Sequence, residues 1–335
     1  MKKNNWVILA PITALFLAAA SLLSPGPALA AGPASPWGAN YFPNVVLTTQ
    51  DGKTVHLWDD LLKDKKVVVN FMYTECGARC PLETAKLAQV QRILGDRVGK
   101  DIFFYSITLD PKRDTPAVLK AYAETFKVGP GWLFLTGKKA DIELVRKKLG
   151  QAALADQNEL KDHSSTFMIG NTTTGQWLQA AMTDDPRHIA VIAGDWLSSW
   201  KDHKKGGSHL QGVEESSADR GAYLFQTRCS ACHTVGHGDG LGPDLLGVVD
   251  VRSRKWITRY VAAPDAVMAS GDPIAMSLLD KYKKIRMPNL RLGDADVEAL
   301  VKYLEAKGSS SRAELRPHVP ADAVALVRDS SLGRR

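Results

Sequence analysis

The sequence predicts two domains in series, an α/β domain followed by a smaller all-α domain. Short β-branched runs alternate with segments of helical periodicity as far as about residue 200. Beyond residue 217 the periodicity is helical only, and it surrounds a Cys-x-x-Cys-His motif. Residues 201–217 lack periodicity and are rich in Gly, Ser and charge, which is typical of a linker. A chain of 335 residues is long enough for two hydrophobic cores.

The N-terminal residues 1–30 have the features of an export signal. Basic residues are followed by an apolar run from Trp6 to Leu23, and the small residues Ala28 and Ala30 favour cleavage after Ala30. The apolar run is also close to the length that spans a bilayer, so an uncleaved inner-membrane anchor is the alternative. In both cases the mature domains, which follow a linker at 31–40, are expected in an oxidising periplasmic or other extracytoplasmic compartment.

Composition excludes few functions. The apolar and charged fractions, 44% and 24%, are ordinary for a soluble globular protein. The net charge of +7 is dispersed, and no basic stripe with interleaved aromatic residues is present, so nucleic acid is not an expected partner. His203 and His209 lie in the linker and receive no role.

The first domain, residues 41–200, is expected to contain a mixed sheet. Asp51-Gly52 is a typical hairpin turn between two apolar segments. The β-branched runs at 66–73 and 102–109 suit strands that are buried on both faces. Further elements are predicted in this order: helices at about 82–94 and 117–126, a strand at 132–135, a helix around 142–149, strands at 164–169 and 176–180, and a helix at about 186–200. This alternation predicts helices on both faces of the sheet.

Two cysteines, Cys76 and Cys80, follow the first long strand at the predicted start of a helix. A strand that leads to a cysteine pair at a helix N-terminus is the thioredoxin-like arrangement. The positive end of the helix and Arg79 both favour thiolates. The three-residue gap is compatible with a reversible disulfide and equally with two thiolates that converge on Cu(I).

The second domain, residues 218–306, is organised around Cys229, Cys232 and His233. This Cys-x-x-Cys-His spacing predicts covalent attachment of haem c, with thioethers from both cysteines and an axial nitrogen from the histidine. The candidates for the sixth iron ligand are Met268, Met276 and Met287. The domain is expected to begin with a helix through residues 222–225 and to end with an amphipathic helix through 297–304, before a tail at 307–335.

The domain also resembles a class I cytochrome c. The resemblance rests on the terminal helices, on the Gly242–Leu245 segment after the haem motif, and on Met287-Pro288. It implies an all-α haem c domain in which Met287, which precedes a proline as in the family's methionine loop, is the sixth ligand. Ligation by methionine and histidine raises the iron potential and favours electron transfer over oxygen binding.

The first domain resembles the Sco/SenC family of copper chaperones. The motifs that carry the resemblance are Cys76-x-x-x-Cys80-Pro81 after a strand, Thr108-Leu109-Asp110-Pro111 with Arg113-Asp114-Thr115-Pro116, Gly131-Trp132 with Leu135-Thr136-Gly137, and Asp162-His163-Ser164. The resemblance implies that Cys76, Cys80 and His163 bind copper, with Asp110 and Asp162 nearby. Turn or cap chemistry is the alternative role for both aspartates. Gly77 departs from the family, in which proline often follows the first cysteine.

The leading hypothesis is a copper metallochaperone that assembles the copper centre of a respiratory cytochrome oxidase, where the haem exchanges one electron with the copper or dithiol site. The expected partners are the oxidase copper subunit, or another copper acceptor, and redox proteins. A single electron matches Cu(II)/Cu(I), whereas a disulfide needs two. One alternative is a thiol-disulfide oxidoreductase or thiol peroxidase that acts through Cys76 and Cys80. Another is an electron carrier with a domain that senses copper or redox state.

Overall fold

The computed structural model describes residues 37–77, 79–151, 166–182, 184–197 and 220–314, and side chains as far as 310. All of these residues belong to one compact unit, Ser35–Arg335. The predicted export signal, the predicted linker at 201–217, Asp162 and His163 lie outside the described residues. Within the described ranges, no helix is long and apolar enough to cross a membrane.

A seven-stranded mixed sheet forms the centre of the first domain, with the strand order β2-β1-β5-β4-β3-β6-β7. The strands are β1 (Val46–Thr49), β2 (Thr54–His56), β3 (Lys66–Met72), β4 (Ile102–Thr108), β5 (Trp132–Gly137), β6 (Thr166–Asn171) and β7 (Gln176–Ala181). The predicted hairpin is confirmed, because β1 and β2 pair in antiparallel fashion around the Asp51-Gly52 turn.

The inner strands are parallel, and their register aligns the ends that carry the site. β3 pairs with β4 from Lys66↔Ile102 to Met72↔Thr108, and β4 pairs with β5 in the same direction. Antiparallel strands flank them on both sides. The central strands are buried on both faces, as their β-branched sequences predict.

Four helices cover the two faces of this sheet: α1 (Arg79–Leu94), α2 (Pro116–Thr125), α3 (Lys139–Lys148) and α4 (Pro186–Val191). One core cluster contains side chains of α1, α2 and α4 together with Phe104 and Phe134. The other contains Ile142 and Val145 of α3 together with Tyr105. The helices therefore lie on both faces of the sheet, and the predicted thioredoxin-like fold is confirmed.

The segment predicted as one helix over 186–200 is α-helical only in its first part. It begins with Asp185, whose side chain accepts from Arg187 N, and α4 then gives way to a π-helical segment, Ile192–Trp196. Arg97 donates a 2.6 Å hydrogen bond to the carbonyl of Gly194 and a 3.1 Å bond to Asp195. These bonds hold the widened turn against the end of α1.

The second domain is all-α, as predicted. Its helices are α5 (Arg220–Leu224), α6 (Val248–Val251), α7 (Arg254–Ala262), α8 (Pro264–Ala269), α9 (Pro273–Lys281) and α10 (Asp294–Glu314), and a π-helical segment over Phe225–Cys229 extends α5. Leu224 and Phe225 pack against Leu300 and Leu304 of α10. The sequence pattern does not identify α6 to α9, and α10 continues beyond residue 307 to Glu314.

Candidate functional site

The two cysteines of the first domain meet where β3 ends and α1 begins. The loop after Met72 carries Cys76, and Cys80 lies in the first turn of α1. The Cys80 backbone N–H donates to Cys76 Sγ over 3.2 Å. The first turn of a helix has backbone N–H groups without intrahelical partners, so the sulfur of Cys76 satisfies one of them. This contact favours negative charge on Cys76 Sγ.

Both cysteines are free thiols and both are buried. Burial, followed by the hydrogen bond to Cys76, raises the pKa of Cys80 far above its usual range. The pKa of Tyr73 rises to about 12, first through burial and then through the nearby Cys76 and Cys80 sulfurs, and its hydroxyl bonds to Cys76. Cys80 therefore keeps its proton in the metal-free protein, and a thiophilic metal has to displace it.

Asp114 anchors the cysteine loop, a role that the sequence motifs alone do not indicate. Its buried carboxylate accepts from the backbone N–H of Thr74 over 3.1 Å and from the hydroxyl groups of Thr74 and Thr108. It thereby ties the segment before Cys76 to the end of β4. An aspartate six residues after a strand gives no sequence signal for such a contact, beyond its place in the Arg113-Asp114-Thr115-Pro116 motif.

Asp110 makes the turn contacts that were predicted as the alternative to a role beside copper. Its backbone N–H donates to Thr108 Oγ1 over 2.9 Å, and its carbonyl accepts from the N–H groups of Arg113 and Asp114. Its carboxylate lies 3.6 Å from Arg113 Nε. Asp110 thus shapes the turn that delivers Asp114 to the cysteine loop.

A buried carboxyl group, Glu83, lies one turn after Cys80 and is a second missed residue. It is 1% exposed, and neither of its oxygens completes a hydrogen bond. Burial raises its pKa to about 8; the neighbouring Asn70 amide opposes this effect, and Cys76 adds to it. Asn70 in turn accepts from Ser106 Oγ over 2.6 Å. Glu83 is therefore protonated at neutral pH in the metal-free protein, beside the dithiol.

The structure brings together two of the three predicted copper ligands, Cys76 and Cys80. The third, His163, lies outside the described residues. Among the residues that the structure does describe, no group of three or more His, Cys, Asp and Glu side chains could hold a metal ion. The donor set that is present consists of two sulfurs, which suit a soft ion such as Cu(I).

The second domain encloses a cavity of about 380 Å³ that contains all of the predicted haem ligands in its wall. Cys229, Cys232, His233 and Met287 line it, together with apolar side chains such as Ile257. Burial raises the pKa of each thiol to about 12, so both are neutral. Two thiols, an imidazole and a thioether around one apolar cavity fit haem c in both chemistry and placement.

His233 is held in a fixed orientation. Its Nδ1 lies 2.9 Å from the carbonyl of Pro243, which leaves Nε2 as the nitrogen available to iron. Burial lowers the pKa of His233, which keeps the imidazole neutral, although the Pro243 carbonyl partly opposes this effect. Gly242 packs against the ring so closely that a Cβ would lie 2.6 Å from the imidazole Cε1. Glycine is therefore required beside the axial ligand.

The three candidate methionines occupy different places. Met287 and Met268 line the haem cavity, whereas Met276 does not and is 39% exposed. Met268 also packs in a small cluster with Val267 and Ala275, beneath Trp256. A core role for Met268 leaves Met287, which precedes Pro288 in an irregular segment, as the candidate sixth ligand.

The segment between the haem motif and α6 is stabilised by Asp244. Its carboxylate accepts from the backbone N–H groups of Gly236, Gly238 and Leu246. These bonds outweigh burial and lower its pKa to about 2. The loop that carries Pro243 is thereby fixed next to His233.

Sequence comparisons agree with this two-part structure. The sequence model of the SCO1/SenC family matches residues 38–194, and that of cytochrome c matches residues 218–307. A SCO2-like protein of Rickettsia felis is 33% identical over 151 residues, which cover 43% of this chain and 70% of that protein. The SCO2-like protein RP587 of Rickettsia prowazekii is 35% identical over 130 residues, which cover 37% of this chain and 61% of that protein.

Two solved structures are similar to different parts of the chain. ScoI of Bradyrhizobium japonicum, solved with copper bound, is 27% identical, with a TM-score of 0.37, 44% of this chain and 94% of that chain covered. The cytochrome c domain of the pp3183 protein from Pseudomonas putida is 48% identical, with a TM-score of 0.26, 27% of this chain and 88% of that chain covered.

The fold and sites therefore define a thioredoxin-like dithiol domain fused to a C-terminal cytochrome c domain. The chain belongs to the SCO1/SenC family.

Proposed function

We propose that the chain is a copper metallochaperone that delivers copper to the copper centre of a respiratory cytochrome oxidase, in an extracytoplasmic compartment. The observation that carries the copper role is the pair of buried thiols at the N-terminus of α1, where the Cys80 N–H donates a hydrogen bond to Cys76 Sγ. Cys76, Cys80 and His163 are its proposed ligands. Membership of the SCO1/SenC family, whose motifs resemble those of copper chaperones, supports copper as the cargo.

Several residues of the first domain have separate roles in holding the copper ion. Cys76 and Cys80 supply thiolates, and the N–H of Cys80 stabilises charge on Cys76. Asp114 holds the cysteine loop in place through Thr74. Glu83 and Tyr73 make the surroundings of the sulfurs polar without exposing them to water.

The second domain adds redox chemistry to this site. Bound haem c supplies a one-electron donor or acceptor, and one electron is the difference between Cu(II) and Cu(I). Cys229 and Cys232 would hold the group covalently, while His233 and Met287 would provide its axial ligands. The largely apolar wall of the cavity suits a haem group, and ligation by histidine and methionine favours electron transfer over oxygen binding at iron.

The test uses the full chain with haem attached. Copper stoichiometry is measured by competition with a Cu(I) chelator, and haem absorbance is followed after the reduced protein is mixed with Cu(II). We expect one copper per chain and haem oxidation in the wild type, with both lost in Cys76→Ser. A wild-type protein that neither retains copper nor shows haem oxidation would refute the proposal.

A second candidate function is thiol-disulfide exchange, which the hydrogen bond from the Cys80 N–H to Cys76 Sγ favours because it stabilises a thiolate at Cys76. His163→Ala distinguishes the two. It should abolish tight copper binding if the domain is a copper chaperone, and it should leave exchange with a small disulfide intact if the dithiol is the active group.

A further inference from the structure

The haem cavity has one wall residue from the copper-binding domain. Leu82 of α1 lines it, and within the described residues it is the single lining residue that comes from outside 220–314. Leu82 is 6% exposed and follows Cys80 by two positions. A side chain of the copper-binding helix is thus placed to contact the haem.

Lys86, one turn further along α1, joins the two domains. Its ammonium group donates to the carbonyl of Asp184 over 2.8 Å in the first domain and to that of Thr227 over 3.0 Å in the second. Thr227 is two residues before the haem cysteine Cys229. Lys86 is 3% exposed, although burial of an ammonium group is costly unless it is hydrogen-bonded. Its two acceptors offset that cost only while the domains are in contact.

Gln89 makes a third contact on the same face of α1. Its Nε2 donates to Ser230 Oγ over 3.1 Å, and Ser230 stands between the two haem cysteines in sequence. Positions 82, 86 and 89 are four and three residues apart, so they lie on one stripe of the helix. The stripe therefore lines the haem cavity through Leu82, and it contacts residues 227–230, the haem peptide, through Lys86 and Gln89.

The same helix carries the dithiol at its start. At a rise of about 1.5 Å per residue, Leu82 lies about 3 Å and Gln89 about 14 Å along the axis from Cys80. Cys80 and the residues that contact the haem peptide thus lie within less than three turns of one helix, and Cys76 is in the loop directly before it.

We propose that Leu82 is a haem-contacting residue and that Lys86 is the positioning residue that holds it in the haem cavity, so that α1 couples the two redox sites. The coupling part of this inference rests on the proposed function, whereas the contact itself does not. An electron that passes between the sites then crosses a packed side chain and a helix turn rather than solvent.

Methyl NMR of the full chain with haem attached and reduced tests the contact. The Leu82 methyl groups, assigned by comparison with Leu82→Ile, should be shifted strongly by the haem ring current, outside the range of surface leucines such as Leu178. Lys86→Met should remove this shift, and Gln89→Ala should reduce it. Lys120→Met, a substitution at an exposed lysine paired with Asp51, is the matched control and should leave it unchanged.

Unshifted Leu82 methyl groups in the wild type would overturn the contact, and a shift that persists in Lys86→Met and Gln89→Ala would overturn the positioning role. Haem absorbance and circular dichroism show whether each variant is folded. If Lys86→Met does not fold, Gln89→Ala decides the question. The rate of haem oxidation by Cu(II) is measured in parallel and should fall at least tenfold in Leu82→Ala. A wild type that shows the methyl shift but neither retains copper nor shows haem oxidation refutes the proposed function and leaves the contact established.

Discussion

Glu83 should make the metal-free protein less stable as the pH rises. Its pKa is about 8 in the folded chain and near 4.5 when it is exposed on unfolding. Between these values the folded state holds a proton that the unfolded state has released, so stability is fully present below pH 4.5 and falls as the pH rises towards 8. One pKa unit corresponds to about 1.4 kcal/mol, and Glu83 is half ionised in the folded chain at pH 8, so the loss between pH 5 and pH 8 is about 3–4 kcal/mol.

Glu83→Gln isolates this contribution, because glutamine keeps the size of the side chain and cannot ionise. Urea unfolding of the copper-free protein is measured from pH 5 to pH 8 by circular dichroism, while haem absorbance separately reports the unfolding of the second domain. The free energy of unfolding of the wild type should fall by about 3–4 kcal/mol more than that of the variant over this range. Glu75→Gln, at an exposed position of the cysteine loop, is the control and should follow the wild type.

Parallel pH profiles for the wild type and Glu83→Gln would show that Glu83 is ionised in the folded protein. The inference of an unpaired, protonated carboxyl group beside the dithiol would then be wrong. A steeper profile in the variant would contradict the sign of the shift.

Three further outcomes can be measured. Gly242→Ala should displace the axial imidazole, which a Cβ would meet at 2.6 Å, and should destabilise the haem domain by about 1–3 kcal/mol in thermal unfolding followed by haem absorbance. Met287→Ala should remove the absorption band of methionine-ligated ferric haem and lower the reduction potential, whereas Met268→Ala should keep the band. Asp114→Asn should cost about 2–3 kcal/mol of stability and weaken copper retention, while Asp110→Asn should change copper retention by less than twofold.

The parts of the fold that were predicted are those in which a local pattern decides the structure. β3 and β4 consist mainly of β-branched and aromatic residues, because both faces of the central sheet are covered. The Asp51-Gly52 turn forms its hairpin because glycine accepts the positive φ of 78° that the turn requires. The haem motif likewise has a fixed spacing, and its cysteines and histidine line one cavity.

The parts that were missed depend on tertiary contacts. Glu83 and Asp114 are buried only because the cysteine loop, the end of β4 and α1 pack together, and no window of sequence contains all three. In the second domain α7, α8 and α9 have only six to nine residues each, so a helical period has too few turns in which to be recognised. Their start signals, Ser253 before α7 and Pro273 at the start of α9, are visible in the sequence but do not give the helix length.

The burial of polar residues on helix α1 is explained only when both domains are considered. Twelve of its sixteen residues are buried, among them Glu83 and Lys86, which an amphipathic helix on the surface of a single domain would expose to water. The sheet covers one side of α1, and the haem peptide covers the side that carries Lys86. Because Lys86 has acceptors in both domains, an isolated first domain would leave one of its hydrogen bonds unmade. The polar face of α1 is thus a contact surface for the cytochrome domain, and the dithiol at its N-terminus is held at a fixed distance from the haem motif.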